Sequence, residues 1–155
     1  MTAATVSDPC WSRYTDTVVE IYDGETVEVD LREPLEAGLA ERLRTIGLGN
    51  RFAIVTAYNP RGAATDADEN HHRQERLETW LAGSGTLFRR ADGCSPDRRH
   101  REPGCACAMD LPAACTLAER FGQSGLYWFD TDAFWLVPVL ETGAQAVLLP
   151  ASTPA

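Results

Sequence analysis

The run Phe52-Ala-Ile-Val-Thr-Ala-Tyr58 constrains this chain most: seven residues without a charge, five of them β-branched or aromatic, suit a strand buried on both faces. It stops at Asn59-Pro60-Arg61-Gly62, where proline and glycine favour a turn. A strand of this kind belongs at the centre of a sheet, and the rest of the chain must cover it.

The neighbouring segments supply the cover. Thr17–Tyr22 and Thr26–Leu31 are β-branched runs around Asp23-Gly24, a strong hairpin signal. Pro34 opens an amphipathic stretch over 35–46, apolar at 35, 39, 43 and 46 and followed by Gly47. Thr65 or Asp66 can cap a helix running to about Ala82, with Asp68 and Glu69 suited to its first turn. A strand at Thr86–Arg90, an arginine-rich connection over 91–103 and a small-residue strand at Cys105–Met109 follow. A helix from Pro112 through Phe121 and a hairpin, Leu126–Phe129 with Phe134–Val137, complete the chain.

From residue 52 the order is strand, helix, strand, strand, helix, strand, strand. That order predicts an α/β chain built as an α+β sandwich, with a ferredoxin-like split βαβ core preceded by a β-hairpin and a helix. At 155 residues a single domain over 1–155 is expected. The small polar ends, 1–12 and 148–155, are expected to be flexible.

Composition narrows the chemistry. A formal net charge of −9 repels a phosphate backbone, so nucleic acid is not an expected partner. All the basic residues are arginine; without lysine the chain can form no Schiff base and has no P-loop lysine. Five cysteines with no apolar segment ahead of them suggest reduced thiols and a cytoplasmic protein. No apolar run approaches the length of a membrane span, and no membrane association is expected. His71, His72, His100, Cys94, Cys105 and Cys107 fit no metal-ligand spacing, and Cys105 and Cys107 read as small buried residues. Neither a metal nor another cofactor is expected.

The segment from Tyr58 to Arg76 holds the strongest functional signal. Asn70, Arg73, Leu77 and Trp80 share one helix face whose first half is polar where a core helix is normally apolar. A turn ahead of a helix N-terminus also offers backbone amides to an anion, with Arg61, Arg73 and Arg76 nearby. The plainer alternative is that Asn59 and Asn70 pin the loop by hydrogen bonds while the arginines lie in solvent. The 91–103 connection is long enough for a ligand-contacting loop, with Glu102 near His100 as an acid/base pair. The aromatic residues Tyr127–Phe129 and Phe134–Trp135 could stack a ring, although cross-strand packing is the commoner use.

Phe52–Pro60, Glu69-Asn70 with Arg73, Arg101-Glu102-Pro103 and Arg120-Phe-Gly-Gln123 together resemble the bacterial family known as domain of unknown function 3293. The resemblance spans a core of about 50–140. It implies a compact domain whose Thr56, Asn59, Asn70, Arg73, Glu102 and Gln123 share one site. The reading that follows is a site for an anionic or amide-bearing small molecule. Asn59 and Gln123 would orient the ligand, with Thr56, Tyr58 and Asn70 beside it, Arg73 would neutralise charge, and Glu102 would serve as acid or base. A non-catalytic regulatory or interaction module is the other reading, and an edge strand could support a homo-oligomer.

Overall fold

The computed structural model describes residues 8–151, so the expected flexibility of 1–7 and 152–155 lies outside the described residues. β1 (Val18–Asp23) and β2 (Glu25–Asp30) form the expected hairpin, and Gly24 at φ +73° supplies its turn. α1 (Ala37–Leu43) is shorter than the 35–46 expected, because the chain leaves the helix before Gly47 and Gly49, both at positive φ. The next elements are β3 (Arg51–Thr56), α2 (Ala67–Gly83), β4 (Phe88–Cys94) and β5 (Arg101–Cys107). After them come α3 (Leu111–Arg120), β6 (Gly125–Asp130), β7 (Ala133–Pro138) and β8 (Val147–Leu149).

The mixed helix and strand content and the order from β3 to β7 match expectation. The sheet is larger: eight strands, ordered β2-β1-β4-β5-β3-β6-β7-β8, with every neighbouring pair antiparallel. The N-terminal hairpin joins this same sheet through β1 and β4. At the other edge β8 places Leu149 opposite Phe134, and at the N-terminal end Asp8 is 4% exposed. Ordered structure therefore reaches into the stretches 8–12 and 148–149 that composition marks as flexible.

The 91–103 connection is the main correction. Residues 91–94 and 101–103 are strand, and only 95–100 connect β4 to β5. Asp92, Gly93, Glu102 and Pro103 look like loop residues, yet they pair across the ladder as Asp92 with Pro103 and Gly93 with Glu102. Their polarity reflects where the two faces of this part of the sheet point.

Alternation along β3 divides the core. Phe52 and Ile54 belong to one cluster with Val19 and Ile21 of β1, Val29 of β2, Phe134 and Leu136 of β7, and Leu149 of β8. Residues from both edges of an eight-stranded sheet share that cluster, so the sheet curls and this face is concave. Phe52, Phe129 and Phe134 fill it, with ring centroids 4.9 to 6.3 Å apart, and packing rather than ring-stacking of a ligand is the role of these aromatics. Ala53 and Val55 face the other way, against Ala114 and Ala118 of α3, while Leu77 and Leu81 of α2 meet Cys105 and Cys107 of β5. Burial pushes the Cys105 thiol up to about 12, in keeping with a packing role.

Where the helices leave the convex face open, charge takes over. Arg101 of β5 donates to Asp92 of β4 at 2.9 Å and pairs with Glu20 of β1 at 2.6 Å, tying three strands together. The hydrogen bond from Arg101 holds the Glu20 carboxyl below its ordinary value of 4.5. The unfolded chain therefore binds this proton at higher pH than the folded one. The contribution to stability is whole above 4.5 and is lost as pH falls through the lower folded value. Urea denaturation of the wild type and Glu20→Gln across pH 3 to 6 should show a steeper acid loss for the wild type, with parallel curves excluding the linkage.

Gly104 is fixed by its neighbours. A Cβ there would lie 2.7 Å from Val55 O and 3.1 Å from Ala91 O, backbone atoms of the two flanking strands. Gly104→Ala should lower stability by about 1–3 kcal/mol. Gly38 in α1 meets open space, and Gly38→Ala should raise stability by roughly 0.5–1 kcal/mol. The same denaturation curves give both values.

Candidate functional site

At the C-terminal end of β3 the concave face stops being hydrophobic. Thr56 continues the alternation of Phe52 and Ile54, and beside it lie Glu102 and Gly104 of β5 and Gly93 of β4. The two glycines put no side chain over the middle strands. Space remains above them.

Residues 8–16 roof that space. The segment contains a 3-10 turn, Trp11–Asp16, that leads into β1, and it reaches across to the start of β6. There Ser124 Oγ donates to the Asp8 carboxylate at 2.6 Å, and the Tyr127 hydroxyl donates to Tyr14 O at 2.6 Å. The Trp11 ring lies against Gly125, where a Cβ would sit 2.7 Å from it. Asp8 also accepts from the Cys10 amide at 2.7 Å and the Tyr14 hydroxyl at 2.5 Å. Burial, followed by the bond to Asp8, raises the Tyr14 phenol well above its ordinary value, so it stays a donor.

Between this strap and the middle strands lies a cavity of about 850 Å³, within the range of small-molecule sites. Ile54, Leu136 and Tyr127 give it an apolar floor, and Thr56, Asn59, Glu102 and Gln123 line it. The β4–β5 connection, in its shorter observed form, contributes Ser95, Pro96 and His100 to the wall.

Glu102 is the central polar group. Asn59 Nδ2 donates to its Oε1 at 2.7 Å, and His100 Nε2 lies 3.4 Å from the same oxygen. Oε2 has no partner among the described residues, and the side chain is 23% exposed. One carboxylate oxygen is therefore held while the other is available for an incoming donor.

Asn59 is held in turn by α2. Its backbone, at φ +44°, donates from N to Asn70 Oδ1 at 2.9 Å. Its Oδ1 accepts from Asn70 Nδ2 at 2.9 Å and from Thr65 N at 3.1 Å. Asparagine tolerates this left-handed backbone better than most residues. Thr56 Oγ1 accepts from Tyr58 N at 3.1 Å and donates to Pro103 O at 2.7 Å. Gln123 Nε2 donates to Tyr58 O at 3.1 Å and Phe121 O at 3.2 Å.

Tyr58, Asn70 and Arg73 are not among the residues lining the cavity; they build the turn behind it. Arg73 donates from Nε to Ala57 O at 2.7 Å and from Nη2 to Phe121 O at 2.5 Å, and Arg76 pairs with Glu69. The turn amides expected to be available to an anion also have internal acceptors: those of Tyr58, Asn59, Arg61, Gly62, Ala63 and Thr65 are all taken. The pinning role weighed for Asn59 and Asn70 is what these contacts describe.

Sequence reasoning missed the strap, Ser124 and the glycines Gly93 and Gly104, and it named Tyr127 only as a ring that could stack. Only Tyr127 left a sequence signal, as a polar-tipped ring alternating with Leu126 and Trp128. Gln74, a buried α2 residue that donates to Cys105 Sγ at 3.5 Å, was also hidden by its polarity. Among the described residues no three His, Cys, Asp or Glu side chains come together to hold a metal, and no helix is long and apolar enough to cross a membrane.

Arg73→Ala would leave the carbonyls of Ala57 and Phe121 without their charged donor and should cost about 2–3 kcal/mol in urea denaturation. Arg73→Lys should recover only part of it, because an ammonium cannot reproduce the two-point fork.

Residues 55–126, which hold the pinned turn, α2, Glu102 and Gln123, match the family model described as Protein of unknown function (DUF3293). No curated protein and no solved structure matches the chain.

Proposed function

We propose that this chain, a member of that family through residues 55–126, binds a small molecule in the cavity beneath the 8–16 strap and uses Glu102 on it as a general acid or base. The observation that carries the reading is the half-satisfied Glu102 carboxylate: one oxygen is fixed by Asn59, the other has no partner among the described residues, and Glu102 lines a cavity with an apolar floor.

The ligand we favour presents hydrogen-bond donors, as an amide does. The anionic alternative loses support because Arg73 and the turn amides already have acceptors inside the protein. Gln123 and Thr56 would orient the bound molecule and His100, beside Glu102, would relay a proton. Proton transfer or hydrolysis fits this set of groups, because a carboxyl and an imidazole can serve both without a cofactor.

We also read β3 to β6 with α2 and α3 as a split βαβ unit, supported by the neighbour order β4-β5-β3-β6 and its antiparallel pairing. A cytoplasmic setting is supported by five free thiols. A homo-oligomer would form through β2 or β8, the two edge strands.

A thermal-shift screen of the full chain against a metabolite library tests the binding reading. Hits whose shift is lost in Glu102→Gln, with an unchanged circular dichroism spectrum, support it. An absence of hits together with one reproducible protein partner in pull-down sinks it and favours a non-catalytic interaction module.

A further inference from the structure

The cavity's charge pattern narrows the ligand further. Most carboxylates on this sheet are matched to arginine: Glu20 and Asp92 to Arg101, Asp23 to Arg89, Asp30 to Arg32, and Asp130 to Arg51. Glu102 is different. Among the described residues no arginine pairs with it, and its neighbours are a neutral amide and His100.

The remaining charges of the wall lie at the rim. Arg32 is forked onto Asp30 through two bonds of 2.8 and 3.0 Å, and on the strap Arg13 and Asp16, both exposed, carry opposite signs. Glu102, the carboxylate of the wall away from the rim, thus keeps one oxygen without a partner among the described residues. Around it are the rings of Tyr14 and Tyr127, whose faces attract cations, and the aliphatic Ile54 and Leu136. Tyr14, Tyr127 and Glu102 line the same cavity. The protein as a whole carries −9, and that field draws cations toward it.

We infer that the occupant of this cavity is a small organic cation, a primary ammonium on an apolar body, with its charged nitrogen on Glu102 and its body against Ile54, Leu136 and Tyr127. The inference rests on the reading of the cavity as a ligand site and adds the charge of the ligand to it. An ammonium supplies three donors, enough for Glu102 Oε2 and for a neighbouring oxygen of the wall such as Thr56 Oγ1.

Calorimetric titration of the full chain with isoamylamine and phenethylamine tests it, each amine matched with the alcohol and the carboxylate of the same shape. The amines should bind at least about tenfold more tightly than their alcohols, the equivalent of one charge-assisted hydrogen bond, and the carboxylates more weakly still. Glu102→Gln should weaken the amine at least about tenfold more than the alcohol, so that most of the preference disappears. The wild-type series needs no variant, so a folding defect in Glu102→Gln cannot mask the answer. Equal affinity for amine and alcohol, or tighter binding of the carboxylate, overturns the cation and leaves the cavity reading standing. No binding by any of the compounds, with no hit in the library screen, overturns both.

Discussion

The alternation of β3 is the constraint on which the rest depends. Phe52 and Ile54 must find apolar partners on one face while Ala53 and Val55 find them on the other, and the two demands are met differently. On the convex face the partners are helices. Small residues in the contact, Ala53 against Ala114 and Ala118, let α3 lie close to the strand. On the concave face α1 and the segment after it contribute Leu43, Ile46 and Leu48 to a core in which residues of both sheet edges, Val29 of β2 and Leu149 of β8, also share. Curling closes one end of the concave face with phenylalanine and leaves the other end open. The cavity follows from that asymmetry.

The two faces are not independent at the open end. The turn after β3 is gripped from the convex side by Asn70 and Arg73 of α2 and by Gln123 after α3, and from the strand side by Glu102 of β5. Gly122 adds a backbone link, its carbonyl accepting from Arg61 N at 2.9 Å. All of these contacts but that of Glu102, which is made to the Asn59 side chain, satisfy a main-chain group that a tight turn would otherwise leave unpaired. The position of Asn59, and through it of Glu102 Oε1, is therefore set by helix packing on the opposite face of the sheet.

Much of this was legible in the sequence where local rules and tertiary demands agree. The uncharged run at 52–56, the Asp66 cap of α2 and the Asp-Gly hairpin each carry a local cause that the fold keeps. The failures lie where a polar residue is used inside the structure. Asp92, Gly93, Glu102 and Pro103 read as loop because strand signals assume one apolar face, and here one face lines a cavity and the other carries ion pairs. Asp8 lies in a stretch of small polar residues and has no local signature at all. Its burial depends on Ser124 and Tyr14, contacts that no periodicity reports.

The polar set chosen from the sequence also divides on a physical criterion that only coordinates supply, namely whether each group already has its partners. Arg73 has two carbonyls, Asn70 has Asn59 and Thr65, and Thr56 has Pro103 and Tyr58. Arg73 and Asn70 gain little by turning to a ligand, since each new bond would break an old one, whereas the Thr56 hydroxyl oxygen keeps a second lone pair. Glu102 stands apart, with both of its contacts on one oxygen. Its exposed fraction is small enough for a charge there to be weakly screened and large enough for a ligand to reach it. Chemistry in this chain is therefore expected at Glu102, a cavity-lining carboxylate that the fold holds through one oxygen.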